Sequence, residues 1–212
     1  MVKAKNKVVK KSEGQKQEEQ LRWILIVIGL VFLSFFSIYF YVQSLKYFEY
    51  ANVNWEITNE GELTFYHSRM KVGDSTFYNN YFRFDPREND IEVNVRDYTI
   101  EKKVWISNGD DYLTCKNAII SNSQLGQFFS AFDREVEGSV TNEEIAKDLN
   151  LTQIDCPNAN IEQSVIILKK SEVPGIFQNE TFPGCYMINV GDCKNVQSVE
   201  RFLLGIIEEV SE

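Results

Sequence analysis

Residues 23–42 run for 20 positions without one Asp, Glu, Lys or Arg. At about 1.5 Å of rise per residue, a helix of that length covers about 30 Å, the depth of a bilayer's hydrocarbon core. A core helix of a soluble protein keeps a polar face, and this run has none. Ser34 and Ser37 are its most polar members, and each can return its hydroxyl to a carbonyl one turn back. Trp23 stands at one end and Tyr39 and Tyr41 at the other, where amphipathic aromatics settle at membrane interfaces. A cleaved secretory signal would have an apolar stretch of about 7–15 residues and then a small-x-small site. The run is longer than that, and the following Tyr41-Val-Gln-Ser-Leu-Lys-Tyr-Phe-Glu-Tyr-Ala51 offers no such site. The expectation is an uncleaved signal anchor that meets the lipid bilayer through residues 23–42.

Charge orients it. Residues 1–22 hold seven Lys and Arg against three Glu, a net +4, leaving −13 on the remainder of a chain whose total is −9. Basic flanks stay cytoplasmic, so the tail is expected inside and the acidic C-terminal part outside. The expected organisation is a basic cytoplasmic tail (1–22), a transmembrane helix (23–42), a linker (43–52) and an extracytoplasmic domain (53–212). An acidic domain repels phosphate backbones, so nucleic acid is not an expected partner. Lys10-Lys11-Ser12-Glu13-Gly14-Gln15, with Glu19 five positions after Gly14, resembles the leader of type IV pilin-like proteins. That resemblance implies cleavage after Gly14 and a filament subunit; here residues 15–22 stand between the site and the apolar run.

Beyond the anchor, residues 53–58, 63–72, 77–84, 91–95 and 100–106 combine β-branched and aromatic content with turn residues between them and read as strands. Asn59-Glu60-Gly61, Asp85-Pro86 and Asn108-Gly109-Asp110-Asp111 are turn material. Helical spacing begins with Leu125, Phe128, Phe129 and Phe132, after a Ser121-x-x-Gln124 capping box. Thr141-x-x-Glu144 is a second such box, opening a short helix through Leu149. Residues 164–169 and 186–190 read as strands. Asn195 can cap a last helix with the stripe Val196, Val199, Leu203, Ile206 and Val210. The fold class expected is one transmembrane helix plus an α+β soluble domain, with a mixed or antiparallel sheet and about three helices, packed on one face.

The four cysteines, Cys115, Cys156, Cys185 and Cys193, all lie in the expected outside domain. Exported domains with an even count form disulfides. Proximity favours Cys185–Cys193, leaving Cys115–Cys156. Zinc wants paired C-x₂₋₄-C and a dithiol redox centre wants C-x-x-C, and neither spacing occurs, so neither a metal nor another cofactor is expected.

No nucleophile elbow, zincin, phosphate-loop, dinucleotide or EF-hand motif is present. His67 is the one histidine, expected as a packed or surface strand residue. The densest charge constellation is the turn holding Arg83, Asp85, Arg87, Glu88 and Asp90. It is either an internally satisfied Pro turn or a carboxylate pair with arginine clamps. The aromatics Phe65, Tyr66, Phe77, Tyr78, Tyr81, Phe82 and Phe84 could make a binding face, though strand alternation buries about half of them. Asn150 and Asn179 open glycosylation sequons. The expected function is a membrane-tethered binding or assembly module with a protein partner. The alternatives are an anchored hydrolase using carboxylates in residues 85–90, and the pilin-like subunit.

Overall fold

The computed structural model describes residues 13–72 and 76–210. Most of the basic tail and the first half of the pilin-like leader, residues 1–12, lie outside the described residues. The chain divides into two units, residues 1–46 and 47–212.

The first unit is α1, Glu13–Ser44. Within it, Gln17–Ser44 is long and apolar enough to cross a membrane, and none of its most apolar stretch is buried. Leucines, isoleucines and phenylalanines point out all round, which water would not tolerate. The two serines satisfy themselves inside the helix: Ser34 Oγ donates to the carbonyls of Leu30 and Val31, and Ser37 Oγ to that of Leu33. The residues expected as a linker, 43–52, instead finish α1, make a turn and enter the first strand.

The second unit holds two sheets. The smaller is an antiparallel meander of β1 (Tyr47–Tyr50), β2 (Val53–Glu60), β3 (Leu63–Lys71) and β4 (Phe77–Phe82), paired in sequence order. The β2–β3 hairpin turns on Gly61 and Glu62, and Gly61 takes φ +64°, which a side chain would resist. Alternation sends Phe48, Trp55, Tyr66, Tyr78 and Phe82 inward to one core.

The larger sheet is built from β5 (Val93–Asn94), β6 (Lys103–Asn108), β7 (Glu135–Val140), β8 (Thr152–Gln153), β9 (Gln163–Lys169), β10 (Pro174–Gln178) and β11 (Cys185–Val190). Its order is β5-β10-β11-β9-β6-β7-β8, and every neighbour pair is parallel except β10 with β11. The helices are α2 (Ala118–Ala131), α3 (Glu143–Leu149) and α4 (Asn195–Val210). The domain is thus α+β, with two sheets where one was expected.

Helices α2 and α4 pack in the main core with Val104, Ile106, Ile166, Leu168, Tyr186 and Ile188. The alternate residues of the same strands, Trp105, Val165, Ile167 and Cys185, form a second cluster under Ile154, Cys156 and Ala159. An irregular segment therefore covers the face that a helix covers in most parallel sheets.

Several local expectations shift. The strand expected at 91–95 contracts to β5, because Ile91 goes into the core from a loop. The strand expected at 100–106 moves to β6. Helix α2 starts three residues before its supposed capping box. Asn117 leads it with φ 70°, and Ser121 is buried inside the helix with its hydroxyl on the Asn117 carbonyl. In α3 the cap is Asn142 and not Thr141: Asn142 Oδ1 accepts from the amides of Glu144 and Ile145 at 2.8 and 3.2 Å.

All four cysteines are in disulfides, but the pairing differs from the proximity expectation: Cys115 bonds Cys193 and Cys156 bonds Cys185. Cys185 opens β11 and Cys193 follows its far end. An extended strand of that length separates its ends by about 17 Å, whereas a disulfide needs Cα atoms within about 7 Å. The two bridges therefore sit at opposite ends of the sheet.

Candidate functional site

The constellation of charges in the Pro turn closes on itself. Arg87 donates from Nε and Nη2 to the two carboxylate oxygens of Asp85 at 2.9 and 2.6 Å, and the Arg87 amide adds a third bond. The guanidinium holds the Asp85 carboxyl below its usual range and lies 3.9 Å over the Phe48 ring. Glu88 and Asp90 are exposed, as is the Arg83 side chain. The turn brings Asp85 to Arg87 and does not gather its carboxylates around a shared cleft.

A carboxylate that sequence reading passed over anchors that turn. Glu200 of α4 is fully buried. It accepts the amides of Arg83 and Phe84 at 2.8 and 3.0 Å, and Gln124 Nε2 at 3.1 Å. Burial pushes its pKa up to about 7, and the three donors, led by the Arg83 amide, pull the other way. Glu200 pins the end of β4 to α2 and α4. The signal for it was available: positions 196, 199, 200, 203, 206 and 207 share one helical stripe, and Glu200 is the charged member of that apolar set.

The outer face of the small sheet carries a continuous cross-strand row. Tyr47 pairs with Glu56, Glu56 with His67, and His67 with Tyr81. The Tyr47 hydroxyl donates to Glu56 at 3.0 Å, which pushes its ionisation up. The His67 ring stacks on Tyr81 with centroids 4.6 Å apart, and its Nε2 lies 3.3 Å from Asn79 Oδ1. His67 is thus a half-buried surface residue, four ångströms from Glu56. Beside the row, the Arg69 guanidinium sits 4.1 Å over Phe77. Of the seven aromatics singled out, Phe65, Phe77 and Tyr81 fall on this face, Phe84 is exposed beyond it, and Tyr66, Tyr78 and Phe82 turn inward. At the β4 side the face drops into a groove of about 350 Å³ lined by Phe65, Tyr81, Arg83, Ile119, Ile120 and Glu200. Ile119 is 84% and Tyr81 50% exposed.

A larger cleft of about 480 Å³ opens where the ends of α2 and α4 meet the small sheet. Met70, Phe128, Phe129, Phe132, Ile206 and Ile207 supply much of its wall, with Arg69, Lys71 and Arg134 also lining it.

Open parallel sheets place ligands beyond the strands' carboxyl ends where the winding direction reverses. Here that point lies between β6 and β9, and the chain fills it. The Gly109 amide donates to the Leu168 carbonyl at 2.8 Å, and a Cβ on Gly109 would meet that oxygen at 3.2 Å. The Cys115–Cys193 bridge ties the loop after β6 to the loop after β11 across the same end. Among the described residues, no group of three or more His, Cys, Asp and Glu is placed to hold a metal ion. Of the two sequons, Asn150 is exposed in a left-handed helix cap, while the Asn179 side-chain oxygen accepts from the amides of Thr181 and Phe182.

No family model, no curated protein and no solved structure matches this chain.

Proposed function

We propose that this chain is a single-pass membrane protein whose domain, held outside the cytoplasm, binds a protein partner on the outer face of the β1–β4 sheet. The observation that carries the reading is the exposed row Tyr47–Glu56–His67–Tyr81 with its adjoining groove. Aromatics and arginine dominate the residues that carry binding energy at protein interfaces. Tyr81 and Ile119 flank the groove, which suits one apolar side chain of a partner. The apolar helix supports tethering, and the two disulfides support an oxidising location for the domain. The positive tail supports an N-inside orientation.

Placing a photo-crosslinking phenylalanine analogue at Tyr81 in membrane-resident protein tests this. One stoichiometric adduct is expected from Tyr81, and none from the same group at the exposed residue Glu143 of α3. Equal labelling at both positions, or none at Tyr81, would remove this face as the docking surface.

A further inference from the structure

The four strands that end the two sheets differ in how they are protected. β5 and β8, at the edges of the larger sheet, have two residues each, and β1 has four. β4 has six, Phe77–Phe82, with the sequence Phe-Tyr-Asn-Asn-Tyr-Phe. Natural sheets blunt an exposed edge with short strands, charge, proline or a bulge. β4 carries no charged side chain and no proline, and its register with β3 runs unbroken from 77 to 82.

Backbone geometry fixes what this edge offers. The Val72 amide donates to the Thr76 carbonyl at 3.0 Å, so residues 72 and 76 form a hydrogen-bonded pair. Alternation then turns the backbone groups of Tyr78, Asn80 and Phe82 toward β3, and those of Phe77, Asn79 and Tyr81 away from it. The far end of the strand follows the same alternation. The Tyr81 carbonyl accepts from Gln124 Nε2 at 3.3 Å, and the Arg83 amide donates to Glu200 at 2.8 Å. Among the described residues, the amides of Phe77, Asn79 and Tyr81 and the carbonyls of Phe77 and Asn79 have no hydrogen-bond partner. The complement of such a row is another extended backbone.

We propose that the partner at the outer face is a second copy of this chain, its β4 paired antiparallel with the first about a two-fold axis at Asn79. This rests on the docking reading above and names its occupant. Residues facing each other across the edge exchange two hydrogen bonds per pair, so allowed registers step by two. Centred on Asn79, the pairing sets Phe77 opposite Tyr81 of the second copy. Phe77 is 46% exposed. It supplies the apolar side chain that suits the groove beside Tyr81 and Ile119. A register two residues further sets Phe77 opposite Arg83, whose amide is already spent on Glu200. Charge points the same way. Residues 47–212 hold 14 Lys and Arg against 28 Asp and Glu, a net of −14, so two copies repel over most of their surface. β4 is a charge-free place to meet, and the pairing sets no like charges opposite each other.

The test uses the full chain. All four native cysteines are in disulfides, so one added cysteine supplies the free thiol. Asn79→Cys would meet itself across the axis with Cα atoms about 5.5 Å apart, inside disulfide range. Oxidation in detergent micelles is expected to turn most of that variant into a covalent dimer, and Glu62→Cys at the β2–β3 hairpin to give little. Asn79→Pro removes an amide that points away from β3, a position where an edge strand accepts proline. Single-molecule photobleaching in liposomes should show two steps for the native chain and one for Asn79→Pro, with hydrogen exchange of β2 and β3 unchanged. The proposal is overturned if Asn79→Cys crosslinks no better than Glu62→Cys, or if Asn79→Pro keeps two steps. The Tyr81 photo-adduct separates this inference from the reading beneath it. An adduct at twice the chain mass supports both. An adduct to a different protein, without an Asn79→Cys dimer, overturns the second copy and leaves the docking face standing.

Discussion

The two sheets of the domain spend their residues differently. The larger is closed on both faces, by α2 and α4 on one side and the segment around Cys156 on the other. Its natural ligand crevice is filled by Gly109, and both disulfides touch it. The smaller sheet has one buried face and one open one. Its inner face is less finished: among the described residues, Ser68 Oγ and both side-chain polar atoms of Asn80 are buried without a partner, on directly paired residues, against Asn189 Oδ1 alone on the strands of the larger sheet. Buried unpaired polar groups cost about 1–3 kcal/mol each. The larger sheet is the scaffold, and the smaller one, less well satisfied, displays the aromatic row and walls the cleft.

The sharpest way to break this contrast is to cut the scaffold. Replacing Cys115 and Cys193 by Ala opens a 78-residue loop, and the chain-entropy relation gives a loss of about 4–5 kcal/mol. Denaturant unfolding should show that loss in the whole domain, and a drop confined to the small sheet would reverse the assignment of roles. Trp55→Ala strikes the display sheet at its core, where Trp55 is fully buried between Phe48 and Phe82. Emptying such a site costs about 3–5 kcal/mol, and hydrogen exchange should show β1–β4 opening before β6 and β9.

Glu200 links the two regions and makes their union depend on pH. Its folded pKa is raised to about 7 from 4.5. Between those values the folded state holds a proton that the unfolded state has released. Stability from this group therefore falls as pH rises from 4.5 to 7 and is level on either side. The change is of the order of 3 kcal/mol at about 1.4 kcal/mol per pH unit. Glu200→Gln should flatten that slope in urea midpoints taken at pH 5 and 7.5. A slope unchanged by the substitution would mean that Glu200 is already ionised at pH 5.

The smallest effect on folding belongs to the open face. His67→Ala with Tyr81→Ala should shift stability by about 1 kcal/mol or less, the scale of a cross-strand pair, while removing the partner adduct. A large loss of stability would make the row structural.

Much of this fold was legible in sequence where the signal is local. Strands β2, β3, β4, β9 and β11 followed from alternation or buried apolar runs, and α4 followed from its stripe. β7 was not read because Glu135 and Glu137 project to solvent from a strand whose buried residues, Ser139 and Val140, come at its end. β10 begins with Pro174-Gly175, a pair that signals a turn; as the last full-length strand beside two-residue β5 it tolerates both. The disulfide pairing failed because distance along the chain is a poor guide across an extended strand. The site was hidden for a related reason. The Asp85–Arg87 pair is local and was visible, but Glu200 meets Arg83 over 117 residues, and the cleft's walls come from residues 52–210.

The disulfides also govern how the chain yields to force. The Cys156–Cys185 loop lies inside the Cys115–Cys193 loop, so the two bonds are nested. If the domain is pulled between residues 47 and 210, tension bypasses everything between residues 115 and 193. At about 3.5 Å per extended residue, some 270 Å of potential length stays locked. The cord that can be drawn out is residues 47–115 and 193–210: the small sheet, β5, β6 with the loop that follows it to Cys115, and α4. A mechanical load on this protein would therefore pay out the display region and leave the parallel strands of β7 and β9 slack behind a covalent clasp.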